Sequence, residues 1–278
     1  MSKFISRFIL VTLILATVIG CVLIYNNWQI QKFITQHQGG IAIIGDSHAA
    51  TNINPEILNA SNYGHTAEPL LITSHKLKWI STHLNPDTVV LVVSPNNFSG
   101  YNDHKLSNET WSSEMAMRYF SLFPWDFWAD NTSIVTAFGH YFRKQIIPNP
   151  SGRPEFLGKH TPKHGSNKGN NIEIVIQRHF NPEYEMVSTN ALTALENIVQ
   201  ICKTDSIALV AVEAPLLEAY RENVPEEVAD VFNQAISILP DQDVTVALTP
   251  DLFFNSDHLN EEGAETYTYA LKEALSDI

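Results

Sequence analysis

Residues 88 to 93 read Thr-Val-Val-Leu-Val-Val, five apolar residues in succession with no polar face among them. Such a run suits a strand of a parallel sheet covered on both sides, because either face left in water would expose branched apolar side chains. Similar short runs stand at 41–44, 207–212 and 244–248, and another short strand ends at Asn62-Tyr63-Gly64. Segments with helical spacing separate them, at 70–84, near 189–202 and through 216–238. A last helix follows Asn260, with Glu261 and Glu262 suited to its positive N-terminal end, and runs to Leu275. Strands alternating with helices predict right-handed crossovers and a three-layer α/β/α fold around a central parallel sheet of about five strands.

The pattern breaks between about residues 101 and 185. Helical stretches are expected at 109–120 and 133–144, around an aromatic segment, Phe123-Pro124-Trp125-Asp126-Phe127-Trp128, whose expected role is to pack the insertion on the core. Residues 148–171 are rich in Pro, Gly, Asn, Lys and His and read as a long surface loop. Lys144, Arg153, Lys159, Lys163 and Lys168 collect there with Glu155 as the one acid among them. The run reads as a solvated loop or as a contact for an anionic glycan or lipid headgroup. The whole chain carries a formal charge of −13, which argues against nucleic acid as a partner.

Residues 8–25 are uncharged and almost wholly apolar, preceded by Lys3 and Arg7 and followed by no cation until Lys32. That length spans a bilayer, and the positive-inside rule keeps the preceding cations cytoplasmic. Residues 1–28 are therefore expected to be a membrane anchor and 29–278 an outward-facing α/β domain with an insertion at about 101–185. Val18-Ile19-Gly20-Cys21 resembles a lipobox, making lipoprotein anchoring at Cys21 the lesser alternative, but Val22 to Tyr25 continue the apolar run. Cys202 is then the domain's single thiol, so no internal disulfide is expected.

Gly45-Asp46-Ser47-His48 follows the first strand, and Asp257-His258-Leu259-Asn260 precedes the last helix. A serine hydroxyl needs a base to become a nucleophile, and His258 is the candidate. Ser47, Gly64, Asn96 and Pro215 all fall just past a strand, where reactive groups gather in parallel sheets. His48 and His65 flank the expected pocket as candidate substrate contacts. The second glycine of a Gly-x-Ser-x-Gly elbow is missing. No histidine or cysteine spacing matches a zinc site, so neither metal nor cofactor is expected.

These blocks resemble the SGNH/GDSL hydrolase superfamily, over most of residues 40–278 apart from the insertion. The resemblance implies a flavodoxin-like (SGNH) fold with Ser47 as nucleophile and His258 as catalytic base. Ser47 N–H, Gly64 N–H and the Asn96 side chain would form the oxyanion hole, with Asn97 a neighbour able to substitute or to touch substrate. One departure matters: three residues before His258, where the superfamily's triad has Asp, stands Asn255. Asp257 adjoins the histidine and is expected to point elsewhere, which leaves a Ser47–His258 dyad oriented by Asn255 or a backbone carbonyl. An outward-facing domain of this kind on one N-terminal helix resembles bacterial envelope proteins that move or remove acyl groups on polysaccharides. Among these are alginate O-acetylation proteins and the D-alanyl transfer protein of teichoic-acid modification.

The implied activity is an O-acyl esterase or O-acyltransferase acting on envelope carbohydrate at the bacterial inner (cytoplasmic) membrane, with a membrane acyltransferase as a possible partner. Two alternatives stand beside it: a catalytically weak glycan-binding or scaffolding domain, favoured by Asn255, and a lipid or thioester hydrolase.

Overall fold

The computed structural model describes all residues except 1, 125, 126, 128–133, 167–171, 241–243, 245, 277 and 278. Four parallel strands, β1 (Ile41–Ile44), β2 (Ala60–Asn62), β3 (Thr88–Val93) and β4 (Ala208–Glu213), form one sheet in the order β2-β1-β3-β4. Register is continuous from β1 through β4: Ile43 stands beside Val90, and Val90 beside Val210.

Because side chains alternate across a strand, the sheet feeds two cores. Ile44, Val89, Leu91 and Val93 enter the larger one with α4 (Leu70–Leu84) and α9 (Ala191–Thr204), while Ile43, Val90, Val92 and Val212 enter a smaller one. The smaller core is closed by α2 (Ser47–Asn52), α3 (Pro55–Leu58) and α12 (Glu261–Leu275). Two layers of helix thus enclose the sheet, as the all-apolar strand β3 requires.

Of the fifth strand expected at 244–248, the described residues Val244, Val246, Ala247 and Leu248 are irregular, and Thr245 lies outside the described residues. The free edge of β4 gives its Ala211 N–H to Pro240 O instead (3.1 Å), so the chain meets that edge before the β-branched run begins. The helical stretch expected through 216–238 is two helices, α10 (Glu218–Arg221) and α11 (Glu226–Ser237), separated at Pro225.

The insertion contributes α5 (Tyr101–Ser107), α6 (Glu109–Tyr119), α7 (Ile134–Gln145) and α8 (Ile172–His179). Ser99 and Val187 form an isolated antiparallel bridge, so the segment leaves and rejoins the core at one place. Of the aromatic segment, Phe123 is buried and stacks on Phe127 (4.1 Å between centroids), a packing role; Trp125, Asp126 and Trp128 lie outside the described residues.

Helix α1 (Ser2–Gln36) is continuous over 35 residues, with no linker between its apolar and polar parts. It is the one helix among the described residues long and apolar enough to cross a membrane, with mean hydropathy 2.8 and none of that window buried. Its C-terminal part docks on the domain: Phe33 and Ile34 are buried, and Asn26 donates to Gln145 O (2.7 Å) and Ile147 O (2.8 Å). The basic loop is mostly structural. Arg153 donates to Asn62 O (2.9 Å) and Gly158 O and packs over the Tyr63 ring, and Lys144 pairs with Glu155 (3.3 Å). Lys168 lies outside the described residues.

Candidate active site

At the end of β1 the chain must turn sharply beneath β3. Gly45 has φ +137°, and a Cβ there would lie 2.8 Å from Val92 O, so glycine is required by both conformation and space. Asp46 then caps α2, accepting from His48 N (2.9 Å), and Ser47 opens the helix. The loop before α12 folds back on itself, with Phe253 bridged to Leu259 and Phe254 N–H donated to His258 O (2.9 Å). Asn52, on α2, ties this loop to the serine by accepting from Leu259 N (3.0 Å).

These two anchors place Ser47 Oγ 2.8 Å from His258 Nε2, joining residues 211 positions apart in the chain. For Nε2 to accept the hydroxyl proton, the imidazole hydrogen must sit on Nδ1. Two oxygens await it. Asn255 Oδ1 lies 3.2 Å from Nδ1 and also accepts from His258 N (2.8 Å), an arrangement that turns the amide oxygen toward the ring.

Asp257 Oδ1 lies 3.1 Å from Nδ1 but off the N–H direction, so it adds charge without an aligned hydrogen bond. Its expected outward orientation is thus corrected: the back-folded loop brings adjacent side chains 257 and 258 together. Burial alone would raise the Asp257 pKa, but the imidazoles of His258, His48 and His179 more than offset it and hold the carboxyl well below the usual range.

Beneath His258 lies a second imidazole. His48 is 1% exposed and stacks on the His258 ring at 4.8 Å and 6°. It is therefore a support rather than the expected substrate contact. Its Nδ1 meets Asp46 Oδ1 at 2.9 Å, and its Nε2 stands 4.0 Å from Asp257 Oδ2. Burial lowers the His48 pKa, but the two carboxylates more than offset this and raise it overall. Asp46 is likewise held low against its burial by His48 and Asn97.

Asn97 is also internal, donating to Asp46 Oδ2 (2.8 Å) and accepting from Ser94 N (2.8 Å), and cannot reach substrate. His65 faces another way, with Nδ1 3.2 Å from Arg118. Burial, then Arg118 and Lys76, push its pKa down to about 4.

A cavity of about 230 Å³ opens on Ser47 and His258, walled in part by Asn96, Asn255 and Asp257. The Asn96 side chain reaches toward Asp46 Oδ2 (3.4 Å) from this wall. Gly64 is not on it: its N–H is donated to Asn62 Oδ1 (2.9 Å), and a Cβ would lie 2.5 Å from Ala50 N, so the residue is needed for close packing against α2. Tyr101, Lys105, Arg178 and His179, all from the insertion, also line the cavity. The motif blocks gave no hint of them; the available signal was Lys105 one turn after Tyr101, a cation on the inward face of a short helix.

His48, Asp257 and His258 offer nitrogen and oxygen atoms within 4.8 Å of one another, close enough for a metal ion. A cation at His258 Nδ1 would displace the proton that the serine–histidine pair needs there.

The two depressed carboxylates give a pH expectation. Their contribution to stability is complete above about pH 4, the ordinary carboxyl value, and is lost as pH falls through their lower folded values. His48, raised, contributes fully below about 6.5, and that part is lost as pH rises through its folded value. Thermal melts are expected to show maximal stability between about pH 4 and 6.5 from this cluster. Asp257→Asn should flatten the acid limb; an unchanged acid limb would mean that Asp257 is not held low.

No protein-family model matches the chain, and no curated protein matches it. Among solved structures it is similar to a protein of Bacteroides fragilis NCTC 9343 described as "a putative acylhydrolase", with 10% identity, 86% of each chain covered and a TM-score of 0.41. That likeness is too slight to carry argument, and the reading of the site rests on its own geometry.

Proposed function

We propose that this chain is a membrane-anchored, outward-facing serine O-acyl esterase or O-acyltransferase acting on cell-envelope carbohydrate. The observation that carries the chemistry is the Ser47 Oγ to His258 Nε2 hydrogen bond of 2.8 Å, opening on a cavity. His258 Nε2 takes the hydroxyl proton as Oγ attacks the ester carbonyl, and the oxyanion forms beside Ser47 N–H and the Asn96 amide. The ester C–O bond then breaks, His258 returns the proton to the leaving alkoxide, and the acyl group remains on Ser47. Water or a sugar hydroxyl gives its proton to His258 and attacks in turn, releasing the acyl group and restoring the Ser47 hydroxyl.

Gly64 does not line the cavity and its N–H is held by Asn62, so this reading gives the oxyanion two donors, Ser47 N–H and the Asn96 amide. Asp257 supplies the charge that a Ser–His pair with an amide orienter lacks. The N-terminal helix supports anchoring through residues 8–25, and Lys3 and Arg7 support the orientation.

The test is a fluorophosphonate serine probe on the full chain in detergent, read by peptide mass spectrometry. Stoichiometric labelling at Ser47, lost in Ser47→Ala and His258→Ala, is expected. A folded chain that stays unlabelled would favour the binding or scaffolding reading instead.

A further inference from the structure

Three cationic side chains face the same small cavity as the nucleophile. Lys105, from α5, is 2% exposed; Arg178 is an exposed residue in the last turn of α8; and Lys163, half-buried, comes from the basic loop. None forms an ion pair among the described residues, although burial lowers the Lys105 pKa to about 8 and the more distant charges of Asp46 and Glu68 partly oppose that. Lys105 Nζ is held by Ala67 O (3.1 Å) and Asn102 Oδ1 (2.9 Å), both neutral, and sits 4.2 Å from the Tyr101 ring centroid. Lys163 packs over the Phe254 ring at 5.7 Å.

Burying an ammonium without a counter-ion is costly, and a protein of formal charge −13 has carboxylates to spare for surface pairing. Two carboxylates, Asp46 and Asp257, share this wall with the three cations, and Asp46 is paired with the His48 ring at 2.9 Å. His179, also on the wall, has its pKa pushed down to about 4, chiefly by burial, and adds no charge at neutral pH. The wall is therefore net cationic around Ser47. All three cations line this one cavity, so each acts on whatever binds there.

We propose that the ester substrate carries an anionic group, a carboxylate or a phosphate, next to the acylated hydroxyl, and that Lys105, Lys163 and Arg178 select it. Arg178 offers a fork that matches either oxyanion, and Lys105 and Lys163 offer point charges. This deepens the esterase reading by naming the class of alcohol, so its test must fail separately from that reading.

The experiment uses the full chain in detergent with acetyl esters of methyl glucoside (neutral), methyl glucuronide (carboxylate) and glucose 6-phosphate (phosphate). Wild type is expected to favour at least one anionic ester over the neutral one by about tenfold or more in kcat/KM, the size of one charge-assisted contact. Which anion leads tells carboxylate from phosphate. In Lys163→Gln/Arg178→Gln that ratio should fall toward one. Raised salt should lower the wild-type ratio as well.

Calorimetric binding of unacetylated glucuronide against glucoside needs no turnover and is expected to show the same preference, lost in the double variant. Preference in binding without any Ser47-dependent turnover would sink the esterase reading and keep the anion site. Equal kcat/KM and equal binding for neutral and anionic sugars, or a preference unmoved by the double variant, would overturn this proposal whatever the esterase result.

Discussion

Asp257→Asn is expected to lower kcat on a neutral activated acetyl ester by about 10²–10³-fold with little change in KM. Replacing the orienting carboxylate of a serine–histidine pair costs about 10⁴ where that carboxylate both fixes the tautomer and stabilises the imidazolium. Here the two duties are divided. Asn255 Oδ1 holds the Nδ1 hydrogen at 3.2 Å and survives the substitution, while Asp257, at 3.1 Å and nearly buried, provides the negative charge. Losing the charge alone should therefore cost less than losing both. Asn255→Asp makes the converse test. It would set a second carboxylate beside a buried one, and like charges that close do not both ionise, so a gain below about tenfold is expected. A kcat within threefold of wild type in Asp257→Asn, with a large gain in Asn255→Asp, would restore the simple dyad and remove Asp257 from the chemistry.

The division of duties between these two residues also shows where sequence reasoning stops. β1, β3 and α4 have the ends their residues predict, because each is an apolar run or period bounded by Gly, Pro or Asn, and these signals are local. The serine and histidine were legible for the same reason: each sits in a short block at a strand or helix boundary. What surrounds them was not. Adjacency made Asp257 look averted, yet the bridge between Phe253 and Leu259 folds five residues so tightly that neighbouring side chains converge. His48 looked like a substrate contact because it flanks the expected pocket, but its burial under His258 depends on packing between α2 and the loop before α12. Lys105, Arg178 and His179 come from the insertion, and no local pattern says that an insertion will return over the Ser47–His258 cavity. The described residues of 244–248 have the composition of a strand yet are irregular, because pairing at a sheet edge is a long-range property that composition does not carry.

Lys76→Met is expected to destabilise the protein by about 3–5 kcal/mol, the cost of leaving one partner of a buried ion pair uncompensated, read as a fall in melting temperature of about 10 °C. Lys76 lies on the inward face of α4 with no exposed surface, 2.6 Å from Glu68 Oε1 and donating to Tyr63 O at 2.6 Å. Glu68 is closed on its other sides by Thr73 Oγ1 (2.8 Å) and Tyr119 OH (2.8 Å), so every acceptor in the cluster has a donor. Burial raises the Glu68 pKa and lowers that of Lys76, and each is the other's main compensation. Removing the lysine strands the carboxyl; removing both charges does not. The double variant Lys76→Met/Glu68→Gln is accordingly expected to recover at least half of the lost stability, and a double variant as unstable as the single would assign the loss to packing. The network reaches the Ser47–His258 cavity through its backbone. Tyr63 and Glu68 bracket the segment whose Thr66 and Ala67 wall the cavity, and Ala67 O receives the Lys105 ammonium. The single variant should then raise KM for anionic esters even at temperatures where it stays folded, because the carbonyl that positions Lys105 is no longer held.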